Sequence, residues 1–397
     1  MMTGNTKITE SVHYVGVNDR NKHLFEGMWP LPYGVSYNSY LITDNKITLI
    51  DTVDSAFFEY YLHKIKSIIG CKPIDYLIIN HMEPDHSGSI SLIRNHYPDI
   101  QIVGNKQTLS MIEGYYGIID NCLQVKDGDK LDLGSNTLNF YLTPMVHWPE
   151  TMMTYSVTEK ILFSGDAFGC FGALNGGYAD TAINTDIYWE EMIRYYSNIV
   201  GKYGIAVQRA LVKLQNLPID YICSTHGPVW RENIEKVVSI YDRLSKYETE
   251  DGVVIVYGTM YGHTEQVAEA IAAELSSRGI KNIVMHNVSK SNPSYILKDI
   301  FKYRGLIVGS PTYSLTLYPE IEAILSKISV REVKNRIFGY FGSFTWASVA
   351  VKKLKEFADN SGFQVLENSV EMKQAPTEVI YARCKELADE MADKLLQ

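Results

Sequence analysis

The sequence has few cysteines, and none of the five forms a Cys-x-x-Cys pair with another. This spacing excludes a disulfide framework or a zinc ribbon as the organising chemistry. It also excludes a rubredoxin-type iron centre within this chain, because such a centre needs four clustered thiolates. We interpret the cysteines as buried thiols, with two of them close to the candidate ligands described below; the five are Cys71, Cys122, Cys170, Cys223 and Cys384.

Basic clusters and long apolar runs are missing as well. The net charge of −9 disfavours a nucleic-acid or an anionic-membrane surface as partner. No apolar run approaches the length of a membrane-spanning helix, and residues 1–5 contain no apolar signal core. We therefore expect a cytoplasmic protein. Its 397 residues exceed what a single core usually supports, so two domains are expected.

The first part of the chain, residues 1–250, begins with short β-rich runs over residues 8–54. Ser55 is predicted to cap a helix that continues to Ile69 and ends at Gly70. Strands are predicted again over residues 122–165, and helices over 186–214 and 231–247. Strands first, followed by alternation of helices and strands, indicate a layered α/β sandwich rather than a Rossmann unit.

The second part, residues 251–397, follows a charged stretch over residues 246–252 in which we place the domain boundary. Beyond it the pattern is a strict alternation of strands and helices, with strands predicted near residues 253–257, 283–286, 305–309 and 337–341. A last helix is predicted from about Thr377. The sequence therefore predicts a doubly wound parallel sheet of roughly five strands.

The most informative stretch is residues 80–88, which follows the apolar run 76–79. That run has the length of a buried strand, so the stretch is predicted to be a tight loop at the strand's end. Four metal-ligand side chains occur within it: His81, Glu83, Asp85 and His86. Two imidazoles with two carboxylates suit iron, manganese or zinc better than a soft, thiolate-seeking ion.

Three more candidate ligands occur at predicted strand ends of the first part: His147, Asp166 and His226. Strand ends form the rim of a sheet, where ligand sites occur. The resulting seven groups are too many for one tetrahedral ion and indicate two metals that share a bridging carboxylate, for which Asp166 is the candidate. The remaining histidines stand alone and are interpreted as surface or hydrogen-bonded core residues; they are His13, His23, His63, His96 and His286.

Three loops at strand ends of the second part form a candidate cofactor site at the expected crevice of the sheet. The first loop opens a helix and offers hydroxyls and free N–H groups to a phosphate. It lacks the motifs for a nucleoside triphosphate or a dinucleotide, so a monophosphate such as that of FMN fits better. Aromatic side chains on the other two loops are suited to a flat ring. The candidate cofactor-binding residues are Thr259, Met260, Tyr261, Gly262, His263, Thr264, Pro311, Thr312, Tyr313, Ser314, Gly342, Ser343, Phe344, Thr345 and Trp346.

The metal loop resembles that of the metallo-β-lactamase superfamily, whose usual form is His-x-His-x-Asp-His followed by later His, Asp and His. Here Glu83 replaces the second histidine, and an anionic oxygen ligand favours iron over redox-silent zinc. The second part resembles flavodoxin, although Thr345 stands where related proteins usually carry glycine. Over residues 8–395 the two parts together resemble the flavodiiron proteins, also called A-type flavoproteins.

This resemblance implies a non-haem diiron site and FMN, with reduction of O2 to water, of NO to N2O, or of both. On the family pattern, His81, Glu83 and His147 hold one iron, Asp85, His86 and His226 the other, and Asp166 bridges them; in some members the histidine matching His86 turns away. The resemblance also implies a head-to-tail homodimer, or a dimer of such dimers, in which one chain's FMN serves its partner's irons. The electron donor is expected to be a separate rubredoxin-like protein or a reduced small cofactor. Many relatives have Phe-His-Gly where this chain has Glu26 between Phe25 and Gly27, so Glu26 is expected to reshape the substrate pocket.

Two other functions remain open at the level of sequence. One is a dinuclear zinc hydrolase of the glyoxalase type that carries a regulatory FMN domain, which Glu83 disfavours. The other is a non-catalytic electron-transfer protein or gas sensor, which the intact set of ligands disfavours. Metal analysis, a thioester-hydrolysis assay and an assay of O2 or NO turnover separate these alternatives.

Overall fold

The computed structural model describes residues 6–396. The N-terminal residues 1–5, which we assessed for a signal core, lie outside the described residues. The contacts within the chain define two compact units, divided between Ser245 and Lys246. This division lies at the start of the charged stretch in which the sequence places the boundary. The boundary between residues 250 and 251 itself stays a prediction.

The first unit is built mainly from short strands: β1 (Val12–Tyr14), β2 (Val17–Asp19), β3 (Leu24–Phe25), β4 (Trp29–Pro30), β5 (Val35–Tyr37), β6 (Tyr40–Ile42), β7 (Thr48–Ile50), β8 (Tyr76–Ile78), β9 (Gln101–Gly104), β10 (Cys122–Gln124), β11 (Lys130–Asp132), β12 (Thr137–Leu142), β13 (Met152–Ser156), β14 (Ile161–Gly165) and β15 (Tyr221–Ser224). One sheet has the order β1-β6-β7-β8-β9-β10, and the second has the order β11-β12-β13-β14-β15. Two small antiparallel pairs, β2 with β5 and β3 with β4, complete the unit.

The two larger sheets contact each other through buried side chains. The ring of Tyr40 on β6 lies 5.4 Å from that of Phe163 on β14, and its hydroxyl donates to the carbonyl of Ser224 over 2.6 Å. Strands β13 and β14 are buried at every residue, the pattern of strands covered on both faces. The layered α/β sandwich predicted from the sequence is confirmed.

Helices of the first unit connect these strands: α1 (Phe58–Ile69), α2 (Pro84–Ser87), α3 (Ile90–His96), α4 (Lys106–Tyr116), α5 (Asp186–Tyr195), α6 (Gly204–Leu214) and α7 (Ile234–Ser245). A 3-10 turn over Ser55–Phe57 precedes α1. A π-helical stretch over Tyr196–Val200 and a 3-10 turn over Gly201–Tyr203 separate α5 from α6.

Three local predictions for this unit are wrong. The carboxylate of Asp54, not Ser55, caps the first turn, where it accepts the N–H of Ala56 over 3.0 Å. The span 186–214 is not one helix, because the backbone changes to wider and then tighter turns in its middle. The stretch 80–88 is not loop throughout, since α2 begins at Pro84, a residue that the first turn of a helix tolerates.

The second unit alternates strands and helices. Its strands are β16 (Glu250–Tyr257), β17 (Ile283–Asn287), β18 (Tyr303–Pro311), β19 (Ile337–Phe344), β20 (Gln364–Val365) and β21 (Val370–Lys373). Its helices are α8 (His263–Ser277), α9 (Pro293–Lys302), α10 (Pro319–Val330), α11 (Ala350–Ser361) and α12 (Glu378–Leu396).

All strand pairs of this sheet are parallel, in the order β17-β16-β18-β19. Both β20 and β21 pair with β19, so two short strands share the next position. The first strand of the unit thus lies between the second and the third, and this reversal of strand order opens a crevice at the carboxyl ends of the strands. The doubly wound parallel sheet is confirmed.

Among residues 6–396, none of the helices combines the length and the apolar character that crossing a bilayer requires.

Candidate metal centre and cofactor cleft

The structure brings all seven predicted metal ligands together at one edge of the first unit. His81, Glu83, His147 and Asp166 form one group, and Asp85, His86 and His226 form a second. Within each group, one ligand atom per residue lies within 4.8 Å of the others. All seven side chains are buried. Their function as ligands stays a prediction, but their positions are those that a two-metal centre needs.

Strand ends place most of these side chains. His81 follows β8, Asp166 directly follows β14, and His226 comes two residues after β15. Asp85 and His86 instead lie on the short helix α2, which presents them to the second group. After His226 the chain turns sharply at Gly227, whose φ is +78°. A Cβ atom there would collide with the sulfur of Cys170, so this turn needs glycine.

Asp166 lies between the two groups and offers one oxygen to each. Its Oδ2 lies 3.1 Å from Nε2 of His147 and 3.6 Å from Nε2 of His81. Its Oδ1 lies 2.9 Å from Nε2 of His86 and 3.9 Å from Nε2 of His226. This is the geometry of a carboxylate that bridges two cations. The ring of His86 faces the centre, with its Nε2 towards Asp166.

Hydrogen bonds on the far side of the rings orient two of the imidazoles. Nδ1 of His81 lies 2.7 Å from the carboxylate of Glu150. Nδ1 of His226 lies 2.7 Å from the carbonyl of Ser36. Each contact assigns the proton to Nδ1 and leaves Nε2 as the atom that faces the centre. Thr225 supports the bridge in the same way, because its hydroxyl donates to Oδ1 of Asp166 over 2.6 Å.

The atoms that face the centre test whether metal ions fit there. In the described part of the chain, Nε2 of His81, His86 and His226 and both carboxylate oxygens of Asp85 are buried without a well-directed hydrogen bond, although carboxylate oxygens lie 2.9 to 3.4 Å from these nitrogens. Buried polar atoms without partners are rare, because losing water costs free energy that a hydrogen bond or a metal must offset. Four imidazoles with three carboxylates suit iron, manganese or zinc. The residues therefore fit a pair of such ions.

The charges of the cluster depend strongly on one another. Burial alone would raise carboxyl pKa values, but the facing imidazoles hold the pKa of Glu83 and of Asp166 below the usual range. Burial likewise opposes an imidazolium, yet neighbouring carboxylates raise the pKa of His86 and of His147 to about 9. The neighbouring carboxylates therefore favour protons on these two imidazoles. A metal that binds must displace those protons.

The predicted cofactor loops line a cleft of about 180 Å³ in the second unit. Twelve of the fifteen predicted residues line it; Gly262, Tyr313 and Gly342 do not. Gly342 instead meets α11, where a Cβ atom would lie 2.8 Å from Val351. The lining also contains three residues for which the sequence carried no prediction: Leu315, Ala347 and Gln374.

Hydroxyl groups tie the three loops to one another. Thr259 accepts the N–H of Gly262 over 3.0 Å at the start of α8. Thr264 and Ser343 share a hydrogen bond of 2.9 Å, which joins the first loop to the third. Thr312 accepts the N–H groups that begin α11, over 3.2 and 3.1 Å, so its hydroxyl connects the second loop to that helix. These hydrogen bonds thus fix the positions of the loops that line the cleft.

Two large aromatic side chains at the cleft are almost fully exposed. Tyr261 is 89% and Trp346 is 88% exposed, although both rings line the cleft. The two exposed rings can stack on a flat ring system, and the helix N-terminus beside the cleft can bind a phosphate of the same molecule. A flavin mononucleotide has this shape.

The isolated histidines and the cysteines take no part in either site. His286 is buried and contacts Asp299 and Ser291 over 2.9 and 3.0 Å, which fits a hydrogen-bonded core residue. Cys170 and Cys223 are buried, and burial raises the pKa of both thiols. The prediction of a buried thiol is wrong for Cys71, which is exposed.

Sequence reasoning missed the residues that support the ligands. Glu150 lies three positions after His147, and Thr225 precedes His226. Proximity to a predicted ligand was the only available signal for these two. Gln374 at the cleft carried no signal, since it is placed by the hydrogen bond from its N–H to the carbonyl of Phe344.

Comparison with known proteins matches each of the two units to a family model. Residues 35–227 match the ODP family beta lactamase model, and residues 255–386 match the flavodoxin model. The chain is 33% identical to the anaerobic nitric oxide reductase flavorubredoxin of Escherichia coli, over 97% of this chain and 81% of that protein. It is 35% identical to an uncharacterized protein of Methanocaldococcus jannaschii, over 98% of both chains.

Solved structures with the same fold extend over the whole chain. The rubredoxin oxygen:oxidoreductase of Desulfovibrio gigas superposes with a TM-score of 0.94 at 32% identity, over 98% of each chain. The flavodiiron protein of Giardia intestinalis superposes with a TM-score of 0.95 at 27% identity, over 100% of this chain and 98% of that one.

Proposed function

This chain belongs to the flavodiiron proteins, and we propose that it reduces O2 to water, NO to N2O, or both, with electrons that reach a diiron site through FMN. It is an oxidoreductase, and its cofactors are a pair of non-haem irons and FMN. The family and the cofactors predicted from the sequence are confirmed. Which gas it prefers, where its electrons come from and which residues hold the cofactors belong to the proposal.

We assign one iron to His81, Glu83 and His147 and the other to Asp85, His86 and His226, with Asp166 as bridge. The observation that carries this assignment is the division of the seven side chains into two buried groups, each of which faces one oxygen of Asp166. Two ferrous ions held in these positions would supply two electrons, enough to convert two NO molecules to one N2O, and reduced FMN would supply the two further electrons that the reduction of O2 to water needs. Glu83 supports iron over zinc, because its carboxylate stabilises the more positive, oxidised states of the metal.

Aromatic side chains around the second group favour a small apolar substrate. The ring of Phe25 lies 5.3 Å from that of His226 and 5.4 Å from that of Phe171. The ring of Tyr195 lies 5.7 Å from that of His226 on another side. Such a wall excludes water from the ligands and admits O2 or NO more readily than a charged substrate.

Glu26 lies at the turn between β3 and β4 and is close enough to Glu83 and His147 to interact with their charges. Its carboxylate accepts the indole N–H of Trp29 over 2.9 Å, and its backbone is left-handed, with a φ of +48°. Burial, and then the charge of Glu83, raise the pKa of Glu26. An acidic group that retains its proton more easily than usual is suited to supply protons, which both gas reductions consume.

The electron route is proposed from the division of the two sites between the two units. FMN accepts electrons and passes them on singly, and the cleft for it lies in the second unit, whereas the candidate irons lie in the first. We propose a head-to-tail homodimer, alone or paired with another, in which one chain's FMN serves its partner's irons. We propose a rubredoxin-like protein or a reduced small cofactor as the electron donor. Cytoplasmic location stays a prediction.

Metal analysis combined with turnover tests this function. Protein isolated anaerobically is analysed for iron, zinc and flavin, then supplied with reduced rubredoxin and either O2 or NO. We expect iron with FMN, and steady consumption of at least one gas. Zinc in place of iron, together with thioester hydrolysis and no gas consumption, would instead identify a hydrolase. Iron and FMN without any turnover would indicate an electron-transfer or sensor protein.

A further inference from the structure

The buried carboxylate of Glu150 makes a direct contact with Nδ1 of a ligand ring in one of the two groups, and no such contact supports the other group in the described residues. Glu150 has no exposed surface. Its Oε1 lies 2.7 Å from Nδ1 of His81 and accepts the N–H of Met82 over 2.9 Å. Within the described residues, its Oε2 makes no hydrogen bond. The negative charge of Glu150 is therefore directed mainly at His81.

The rings of the second group have no carboxylate in direct contact behind them, because the buried carboxylate near His86, that of Asp51, accepts both its hydrogen bonds from Asn80. Nδ1 of His226 faces the backbone carbonyl of Ser36 over 2.7 Å. Nδ1 of His86 makes no hydrogen bond in the described part of the chain. A carboxylate that accepts the proton of an imidazole makes its other nitrogen a stronger electron donor, and a neutral carbonyl does so less. The ligand rings of the two groups therefore differ in how strongly they donate.

The local structure fixes Glu150 in this position. The side-chain amide of Asn105 donates to the backbone carbonyl of Glu150. The same Asn105 caps α4, where its oxygen accepts the N–H groups of Gln107 and Thr108 over 2.9 and 3.1 Å. The segment 147–150 thus contains both His147, a ligand of the first group, and Glu150, whose carboxylate orients His81.

We propose that Glu150 makes the two metal positions unequal, so that a metal held by His81, Glu83 and His147 is bound more tightly than one held by Asp85, His86 and His226. This inference rests on the proposed metal centre. Glu150 is a positioning residue, because it acts through His81 and touches neither metal nor substrate. Glu83 and one oxygen of Asp166 already place negative charge at the first metal position. Glu150 adds to this charge from the far side of the His81 ring.

Anaerobic titration of metal-free protein with ferrous iron, in competition with a chelator, tests the proposal. For the unmodified protein we expect two phases of different affinity. Glu150→Gln keeps an oxygen for the proton of His81 but removes the charge. It should weaken the tighter phase by about 10- to 100-fold and leave the weaker phase unchanged. Glu150→Ala, which also removes the orienting contact, should weaken the tighter phase at least as much.

Asp44→Asn is the matched control. The carboxylate of Asp44 also accepts backbone N–H groups in the first unit, from Ser135 over 3.0 Å and Asn136 over 2.8 Å, but it belongs to neither group of ligands. We expect both phases to be unchanged in this variant. If Asp44→Asn weakens the tighter phase as much as Glu150→Gln does, the effect reflects general damage to the fold and the proposal is overturned.

A second measurement uses the unmodified protein and does not depend on the variants folding. The metal-free protein is loaded with one equivalent of ⁵⁷Fe(II) per chain and studied by Mössbauer spectroscopy. Unequal positions predict one dominant iron environment, and two equally populated environments would overturn the proposal. The proposal would also be overturned if Glu150→Gln weakened both phases equally, or weakened neither. Gas reduction that persists in those cases would leave the proposed function intact, whereas failure to bind any iron would refute both.

Discussion

Gly262 offers a sharp test of the cofactor cleft, because it begins α8 with a left-handed backbone. Its φ is +92°, and a Cβ atom built there meets nothing within 4 Å. Gly262→Ala therefore introduces conformational strain without a steric clash. For a residue other than glycine, the left-handed region costs about 1–2 kcal/mol. The loop that carries this strain supplies the N–H groups expected to bind the phosphate of FMN.

The expected loss of FMN affinity follows from that cost. In the FMN-free protein the loop can relax to another backbone conformation, whereas bound FMN requires the loop as observed. The full cost then appears in binding, and since about 1.4 kcal/mol corresponds to a tenfold change, the dissociation constant should rise about 5- to 30-fold. If the loop cannot relax, the same cost instead lowers the stability of the second unit.

Gly279 provides the matched control at the other end of the same helix. Its φ is +87°, and nothing lies within 4 Å of a Cβ atom there, but it follows the carboxyl end of α8 and belongs to none of the three cofactor loops. The assay titrates FMN into both FMN-free variants by quenching of flavin fluorescence, with unfolding measured in parallel. We expect Gly279→Ala to lose stability only. Equal FMN affinity in Gly262→Ala and the unmodified protein would refute the assignment of this loop to the phosphate.

Three further predictions concern other parts of the chain. Burial lowers the pKa of Lys64 to about 8, whereas the unfolded chain keeps a lysine pKa of about 10.4. Between these pH values only the unfolded state binds the proton, so the free energy of unfolding should rise with pH, and Lys64→Met should remove that rise in denaturant titrations. Arg336 is buried and donates to the carbonyls of Ile300 and Phe301 over 2.7 and 3.1 Å. Arg336→Met leaves these carbonyls without a donor and should lower the free energy of unfolding by about 2–4 kcal/mol. An unchanged midpoint of denaturant unfolding would contradict this function of the guanidinium. Glu83→His should raise the ratio of zinc to iron in protein produced with equal amounts of both metals, as metal analysis would show, and an unaltered ratio would remove Glu83 as the reason for iron.

The sequence was most informative where side chains follow strands. His81, Asp166 and His226 each come after an apolar run, and parallel strands bring their carboxyl ends to one edge, so residues far apart in the chain were predicted to meet there. The loops of the second unit were likewise predicted from the ends of its strands. In both cases a regular, buried element with a strong periodic pattern determines the position of the side chain.

Three kinds of feature were not predictable in this way: caps for which adjacent residues compete, very short elements, and contacts between distant segments. Asp54 and Ser55 are adjacent polar residues that can both accept the free N–H groups of the first turn. The local backbone geometry decides that Asp54 does so. The helical turn that presents Asp85 is too short to give a periodic signal. Glu150 and Gln374 acquire their positions only when separate strands and loops come together. No pattern within a single segment records such contacts.

The most direct test of the account is a single turnover of the protein under anaerobic conditions. The protein, loaded with iron and FMN, is fully reduced, freed of excess reductant and mixed with NO or with O2, and the products are analysed. The account predicts N2O from NO, water from O2, or both, together with reoxidation of the iron pair. Reduced protein that leaves both gases unchanged, or that releases superoxide or peroxide as its main product, would contradict it.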